Sequence, residues 1–151
     1  MKKLQLGPGE LGILAGMLRK VAFFEPLGVE ALHKILPHVR VHSYAKGEKV
    51  FRKGDRGDAF YIVFKGKVAV RLSRMMFLSK TLATLGPGSF FGEIALISDD
   101  PRTADIVCTE PTLLFTLIAV DFQFILRENP EAADEMRRVA ARRKFDTDHA
   151  S

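Results

Sequence analysis

Glycines divide the middle of the chain, from Val39 to Leu117, into segments too short for ordinary helices. These segments are rich in Val, Ile, Phe, Tyr and Thr, the residue types that favour pleated strands. The segments are Lys49–Phe51, Ala59–Phe64, Lys67–Leu72, Thr81–Leu85, Ala104–Cys108 and Thr112–Leu117. Short strands separated by turn residues at such spacing predict an antiparallel β-roll, or jelly roll, over residues 39–117.

Helical periodicity precedes this β region. Residues 10–36 carry apolar side chains at helical spacing, interrupted at Pro26-Leu27-Gly28. This pattern predicts two short N-terminal helices joined by a turn. Pro37 should end the second helix because it lacks an amide donor.

Helical periodicity also follows the β region. Asp121 is placed to cap a helix that reaches Glu128, and Asn129-Pro130 can begin another that runs from Glu131 to about Lys144. The second helix carries a thin apolar stripe, Met136, Val139 and Ala140. The whole pattern predicts one mainly β domain over residues 10–145 with C-terminal helices at 121–144, a flexible N-terminus at 1–9 and a tail at 146–151.

Composition narrows the class of protein. The chain has 151 residues, 47% of them hydrophobic, which suits one globular domain. The net charge of +5 favours an anionic partner without distinguishing a nucleotide from a nucleic acid or a membrane. The single cysteine, Cys108, excludes a disulfide framework and suits a reducing, cytoplasmic compartment. No apolar run is long enough to span a bilayer.

The stretch from Phe90 to Ala104 carries the chemistry. Gly92 precedes Glu93-Ile94-Ala95-Leu96, which predicts one helical turn whose first N–H groups attract an anion. Arg102 adds a planar fork of donors suited to phosphate oxygens, with the Thr103 hydroxyl beside it. The Glu93 carboxylate instead suits sugar hydroxyls. Donors for a phosphate and an acceptor for a sugar in one site predict a nucleotide whose phosphate lies close to its ribose, as in a cyclic nucleotide.

Several stretches occur in an order that resembles the cyclic-nucleotide-binding domain family, the β-roll shared by regulatory subunits of cyclic-nucleotide-dependent kinases, gated channels and catabolite-activator-like regulators. The stretches are Tyr44-Ala45-Lys46-Gly47-Glu48-Lys49-Val50, then Gly54-Asp55-Arg56-Gly57-Asp58-Ala59-Phe60-Tyr61-Ile62-Val63, then Gly66-Lys67-Val68, and finally Phe91 to Ala104. The resemblance extends from about Leu18 to Ala140. It implies that the C-terminal helix forms a lid over the pocket.

The resemblance implies roles for the phosphate-binding segment. Gly92 and Ala95 would give backbone amides to the phosphate, with Ile94 in the same turn. Glu93 would accept a hydrogen bond from the ribose 2′-hydroxyl, and Arg102 would pair with the exocyclic phosphate oxygens. The regulatory ligand would be cAMP or cGMP, and no further cofactor is expected.

The resemblance also bears on base recognition. Thr103 matches a position where a hydroxyl accompanies cGMP binding through the guanine amino group, so both nucleotides remain open. Val70 and Ala83 would form an apolar wall for the base. Asp105 stands where the family often has a neutral residue, which adds a second carboxylate near the site.

Other features invite competing interpretations. The Gly54–Asp58 run lacks the spacing of a calcium loop and reads as a turn. His33, His38 and His42 are not spaced to converge, so we expect no metal site. Cys108 lies in an apolar strand and is expected to be a core residue.

Two segments keep more than one interpretation. The basic run Arg137, Arg138, Arg142, Arg143 and Lys144 forms a solvated face, contacts an acidic or nucleic-acid partner, or belongs to the lid. Met75–Leu78 is either an extension of a strand or an apolar contact patch.

The sequence therefore predicts a non-enzymatic sensor in which a cyclic nucleotide redirects the C-terminal helix by population shift. The effector is expected outside this chain, because the segment after Phe115 is too short for a winged DNA-binding domain. Nucleic acid is accordingly not an expected partner of this domain alone. The alternatives are a degenerate domain that binds a protein without ligand, and a metal-dependent cupin enzyme.

Overall fold

Two antiparallel sheets form the centre of the structure, a computed structural model that describes residues 1–5, 7–20, 28–74 and 78–149. The five-stranded sheet has the order β1-β2-β9-β4-β7 and the four-stranded sheet the order β3-β8-β5-β6. The strands are β1 Lys2–Leu4, β2 Arg40–Tyr44, β3 Lys49–Phe51, β4 Ala59–Lys65, β5 Val68–Arg74, β6 Leu78–Leu85, β7 Phe90–Phe91, β8 Asp105–Cys108 and β9 Thr112–Ile118.

Helices lie at both ends of the chain and between β7 and β8. They are α1 Pro8–Lys20, α2 Val29–Ile35, α3 Glu93–Ser98, α4 Ala119–Glu128 and α5 Pro130–Asp148, with a 3₁₀ turn at Leu36–His38. Pro37 lies in that turn, directly after α2 ends, as its missing amide donor predicts. In the part of the chain that the structure describes, no helix is long and apolar enough to cross a bilayer.

Strand β4 shows why the centre of the sequence is so apolar. Tyr61 and Val63 point into the space between the two sheets, where Val68, Ile106 and Leu114 are also buried. Phe60 and Ile62 alternate with them and pack under the helices. Because successive strand side chains face opposite sides, a strand covered on both sides needs a continuous apolar run.

The predicted fold class, a mainly β roll with flanking helices, is confirmed. All six predicted strands are present, with ends that differ by up to three residues. The predicted turn at Pro26-Leu27 and residues 75–77 of the Met75–Leu78 segment lie outside the described residues. Leu78 itself begins β6.

The N-terminal region is more regular than the sequence predicts. Lys2–Leu4 pairs with β2, and the amino group of Met1 forms an ion pair with Glu48. Helix α1 begins at Pro8 instead of residue 10. Backbone pairing at a sheet edge satisfies main-chain groups with little help from side chains, so a three-residue exposed strand leaves no pattern in the sequence.

The C-terminal helices differ from prediction in two details. Helix α4 begins at Ala119, and its N-cap is Ile118 rather than Asp121. Asp121 lies in the first turn, 3.6 Å from His38. Helix α5 begins at Pro130 as predicted but continues to Asp148, so residues 146–148 of the predicted tail are helical. In this additional turn, the Thr147 hydroxyl donates a hydrogen bond to the Arg143 carbonyl.

Candidate functional site

A cavity of about 470 Å³ lies where β5, β6, α3 and the end of α5 meet. Its volume falls within the range of small-molecule sites in proteins. The structure brings all eight predicted site residues into its lining: Val70, Ala83, Gly92, Glu93, Ile94, Ala95, Arg102 and Thr103. Three residues far from the predicted segment, Arg143, Asp146 and Thr147 of α5, also line it.

Gly92 shapes the entry to α3. Its φ of +91° is a left-handed conformation that side chains resist. A Cβ atom here would also lie 3.1 Å from the Ala59 carbonyl oxygen and 3.1 Å from Nη1 of Arg102. The family resemblance implies that Gly92 gives its backbone amide to the phosphate. The structure adds two reasons of its own, backbone conformation and packing against Arg102.

Arg102 is a buried arginine, only 3% exposed. Its Nη1 donates to the Gly92 carbonyl at 2.7 Å, and its Nη2 donates to the Ala59 carbonyl at 2.8 Å. The guanidinium lies 4.0 Å from the centroid of the Phe51 ring. Burial lowers the pKa of Arg102, while the nearby Tyr61 and Asp58 oppose that shift. Arg102 therefore holds the loop before α3 against β4.

One donor of Arg102 remains unused. Its Nε is buried and has no hydrogen-bond partner among the described residues. A buried donor without a partner costs free energy that a bound acceptor would recover. Arg102 and the N-terminal turn of α3 belong to the same cavity lining, which makes this wall suited to an anion.

Glu93, at the start of α3, is 1% exposed. Its Oε1 accepts a hydrogen bond of 2.8 Å from Nη1 of Arg143. Burial raises the pKa of Glu93, and the charge of Arg143 acts against that rise. The buried carboxylate is thus paired with a cation from α5.

Sequence reasoning missed Arg143 as a site residue. The same Nη1 also donates to the Phe90 carbonyl at 2.9 Å, and the guanidinium lies 4.6 Å from the centre of the Phe90 ring. Its spacing was a usable signal: Met136, Ala140 and Arg143 recur at helical intervals, so Arg143 continues the apolar face of α5. Within the basic run, Arg143 therefore lines the cavity, and the lid role stays a prediction.

The family is decided by comparison with known proteins. The family model for the cyclic nucleotide-binding domain matches residues 41–129, more than half of the chain. The chain belongs to the cyclic nucleotide-binding domain family. A cyclic nucleotide-gated potassium channel of Rhizobium etli is 35% identical over 128 residues, which cover 85% of this chain and 34% of the channel.

One further relative and one solved structure are similar to the chain. The cyclic AMP receptor protein of Thermus thermophilus is 34% identical over 125 residues, which cover 83% of this chain and 58% of the receptor. The regulatory domain of Toxoplasma gondii PKA, solved with cAMP, has the same fold, with a TM-score of 0.78 at 24% identity over 86% of this chain and 49% of that one. The domain spans about a third of the channel and somewhat over half of the receptor.

Asp105 of this domain does not line the cavity. Its Oδ2 accepts from Lys49 Nζ at 3.0 Å and its Oδ1 accepts from the Lys53 amide at 2.7 Å. Burial favours a higher pKa for Asp105, but these two hydrogen bonds together with the charges of Lys49 and Arg52 outweigh it, and the pKa is lowered. The second carboxylate is therefore neutralised by Lys49 on β3.

The loop from Gly54 to Asp58 supports the site from behind. The Gly54 amide donates to the Arg102 carbonyl at 2.9 Å, and the Arg102 amide donates to the Asp55 carbonyl at 2.7 Å. A Cβ atom on Gly57 would lie 2.7 Å from Cβ of Ala95. The loop thus packs directly on α3.

The remaining chemical candidates have ordinary contacts. His42 hydrogen-bonds to the Thr116 hydroxyl at 2.9 Å, and His38 lies near Asp121. Over the described ranges, no three His, Cys, Asp or Glu side chains are grouped to hold a metal ion. Cys108 is buried between the sheets, which confirms the prediction of a core residue.

Proposed function

We propose that this domain is a cyclic-nucleotide sensor that binds cAMP or cGMP in the cavity beneath α5 and passes its occupancy to an effector through that helix. One observation carries the proposal. A buried guanidinium with an unused donor, the first turn of a helix and a buried carboxylate converge on one cavity. Membership of the cyclic nucleotide-binding domain family supports the same ligand class.

The phosphate would lie against the start of α3. Backbone amides of the first turn, including that of Ala95, would donate to it, and the helix dipole favours its charge. Arg102 would add charge-assisted bonds, which are stronger than neutral ones. Its contacts with the Gly92 and Ala59 carbonyls hold the guanidinium in place before the ligand arrives.

The sugar and base would occupy the rest of the cavity. Glu93 would accept a hydrogen bond from the ribose 2′-hydroxyl, because an ionised carboxylate has no proton to donate and acts only as an acceptor. Val70 and Ala83 face each other in the β5–β6 pairing and both line the cavity, so they would form an apolar wall for the base. The Thr103 hydroxyl would favour guanine through its amino group.

The relatives do not identify the effector of this domain. One is named as a gated potassium channel and another as a cyclic AMP receptor, and this domain spans only part of each. A channel, a kinase, a transcription factor or another partner would each suit a domain whose output is a helix position. No catalytic step is assigned to the cavity.

Calorimetric titration with cAMP and with cGMP tests the proposal. We expect at least one nucleotide to bind with a Kd in the micromolar range or lower. Arg102→Lys should weaken binding roughly ten- to several-hundredfold, because lysine lacks the Nε donor and loses the two carbonyl contacts that hold the guanidinium in place. Arg56→Lys is the matched control, since Arg56 is exposed and lies outside this cavity. Failure of both nucleotides to bind the folded protein would overturn the proposal and favour a protein-interaction module.

The base preference needs a separate variant. Thr103→Ala should reduce affinity for cGMP more than affinity for cAMP, because only guanine carries the amino donor. Equal losses for the two nucleotides would contradict this role of Thr103. The measurement uses the same titrations, with thermal unfolding to confirm that the variant folds.

A further inference from the structure

Two consecutive residues of α5 attach its end to the α3 segment. Arg143 Nη1 lies 2.8 Å from Glu93 Oε1, and Lys144 Nζ lies 2.8 Å from Asp100 Oδ2. The two pairs have equal lengths and opposite environments. The Glu93 side chain is 1% exposed, whereas Lys144 and Asp100 are 43% and 46% exposed. The distances alone therefore do not show which ion pair contributes more to the attachment of α5.

Burial ranks them. A carboxylate removed from water must be paired, because an unpaired buried charge is strongly destabilising. An exposed ion pair is screened by solvent and contributes little. Loss of Arg143 would leave Glu93 without its direct cationic partner, whereas loss of Lys144 would leave Asp100 with the Ser98 hydroxyl and water.

The contacts of Arg143 also fix the direction from which its guanidinium approaches Glu93. Its guanidinium is held by the Phe90 carbonyl and the Phe90 ring, so the donor that reaches Glu93 comes from a defined position. An ionised carboxylate has about four lone-pair positions. Glu93 can therefore keep its bond to Arg143 and still accept a hydroxyl from a sugar.

We propose that Arg143 is the positioning residue of the sugar acceptor, holding Glu93 ionised and oriented toward a nucleotide 2′-hydroxyl only while the end of α5 is docked. This inference rests on the proposed function. It couples the 2′-hydroxyl to the helix: by linkage, the hydroxyl stabilises the docked α5 by the same factor by which the docked α5 strengthens binding of the hydroxyl.

A thermodynamic cycle that combines protein variants with a ligand lacking the 2′-hydroxyl tests this coupling. Wild type, Arg143→Ala and Lys144→Ala are titrated with cAMP and with 2′-deoxy-cAMP, or with the guanine pair if cGMP binds more tightly. In wild type, loss of the hydroxyl should weaken binding roughly tenfold, the size of a hydrogen bond to a charged group. In Arg143→Ala this penalty should fall to about two- to threefold. Lys144→Ala should keep the wild-type penalty, and Arg143→Lys should recover part of it because it retains the charge.

A second readout needs no nucleotide. Hydrogen exchange at residues 141–148 should accelerate in Arg143→Ala and stay near wild type in Lys144→Ala. An unchanged hydroxyl penalty in Arg143→Ala, with wild type binding normally, overturns the coupling and leaves the proposed function standing. Failure of wild type to bind either nucleotide overturns the proposed function itself. Unchanged exchange in Arg143→Ala overturns the attachment through Glu93 whether or not a nucleotide binds.

Discussion

The two halves of α5 are attached to the rest of the domain by different forces. The first half buries four side chains: Ala132, Ala133, Met136 and Ala140. The second half, residues 141–148, has no buried side chain, and Phe145 within it is 60% exposed. It is held instead by the polar contacts of Arg143 and Lys144. One continuous helix thus has an apolar anchor and a polar end.

The difference bears on how the helix would respond to a ligand. Apolar burial requires no partner in the cavity, and it is lost only when the helix leaves the core. A polar contact in the cavity can be strengthened or exchanged by a ligand that offers its own hydrogen bonds. The sequence predicts that the whole helix from Glu131 to Lys144 is weakly docked by a thin stripe. The buried alanines widen that stripe, so we expect movement to be confined to the second half.

The largest effect should come from the apolar anchor. Met136 is 0% exposed, and Met136→Ala should lower the free energy of unfolding by about 2–5 kcal/mol, because it removes buried contacts and leaves a cavity. Urea denaturation measures the change. Phe145→Ala is the matched control in the polar half and should change stability by less than about 0.5 kcal/mol. If Phe145→Ala were as destabilising as Met136→Ala, the two halves would not differ as described.

A smaller effect should be seen in hydrogen exchange of the unmodified protein. Without nucleotide, amides in residues 131–140 should exchange close to the rate of global unfolding, whereas those in 141–148 should exchange at least about tenfold faster, because polar ends open locally. Saturating cAMP or cGMP should slow exchange mainly in 141–148. Uniform protection along α5, unchanged by ligand, would contradict a polar end that responds to the cavity.

Local patterns explain which parts of this architecture the sequence predicts. The β-roll can be predicted from the spacing of the glycines and from the apolar segments between them, because turns and strands each depend on patterns only a few residues long. Gly92, Glu93 and Arg102 lie within one short segment, so their common location could be predicted from sequence order. The structure places all three on one cavity, and their ligand-binding roles remain predictions.

Contacts between distant segments explain what the sequence does not predict. Arg143 meets Glu93 across 50 residues, and before folding it is one arginine in a basic run. The burial of Arg102, which lies between α3 and β8, depends on Phe51 of β3 and Ala59 of β4. Its second role, holding the loop before α3 against β4, therefore appears only once the sheets are assembled. The strand β1 likewise exists through its partner β2.

The smallest effects should appear in the titration of the two carboxylates that attach the end of α5. Burial raises the pKa of Glu93, so its protonation favours the folded state. The stability it contributes is present at low pH and declines as pH rises from the ordinary glutamate pKa through the folded one. Asp100 behaves oppositely: the hydrogen bond from Lys144 lowers its pKa. Its contribution is present above the ordinary aspartate pKa and is lost as pH falls through the folded value.

Variants should separate these two titrations. Arg143→Ala should raise the pKa of Glu93 further, because it removes the cation that opposes desolvation, and should leave Asp100 unchanged. Lys144→Ala should return the pKa of Asp100 toward its ordinary value and leave Glu93 unchanged. Carbon-detected NMR of the side-chain carboxyls follows both groups in one sample. A Glu93 carboxyl that titrates at or below the ordinary glutamate pKa even in Arg143→Ala would mean that water reaches it, and the two ion pairs would then be equivalent surface contacts.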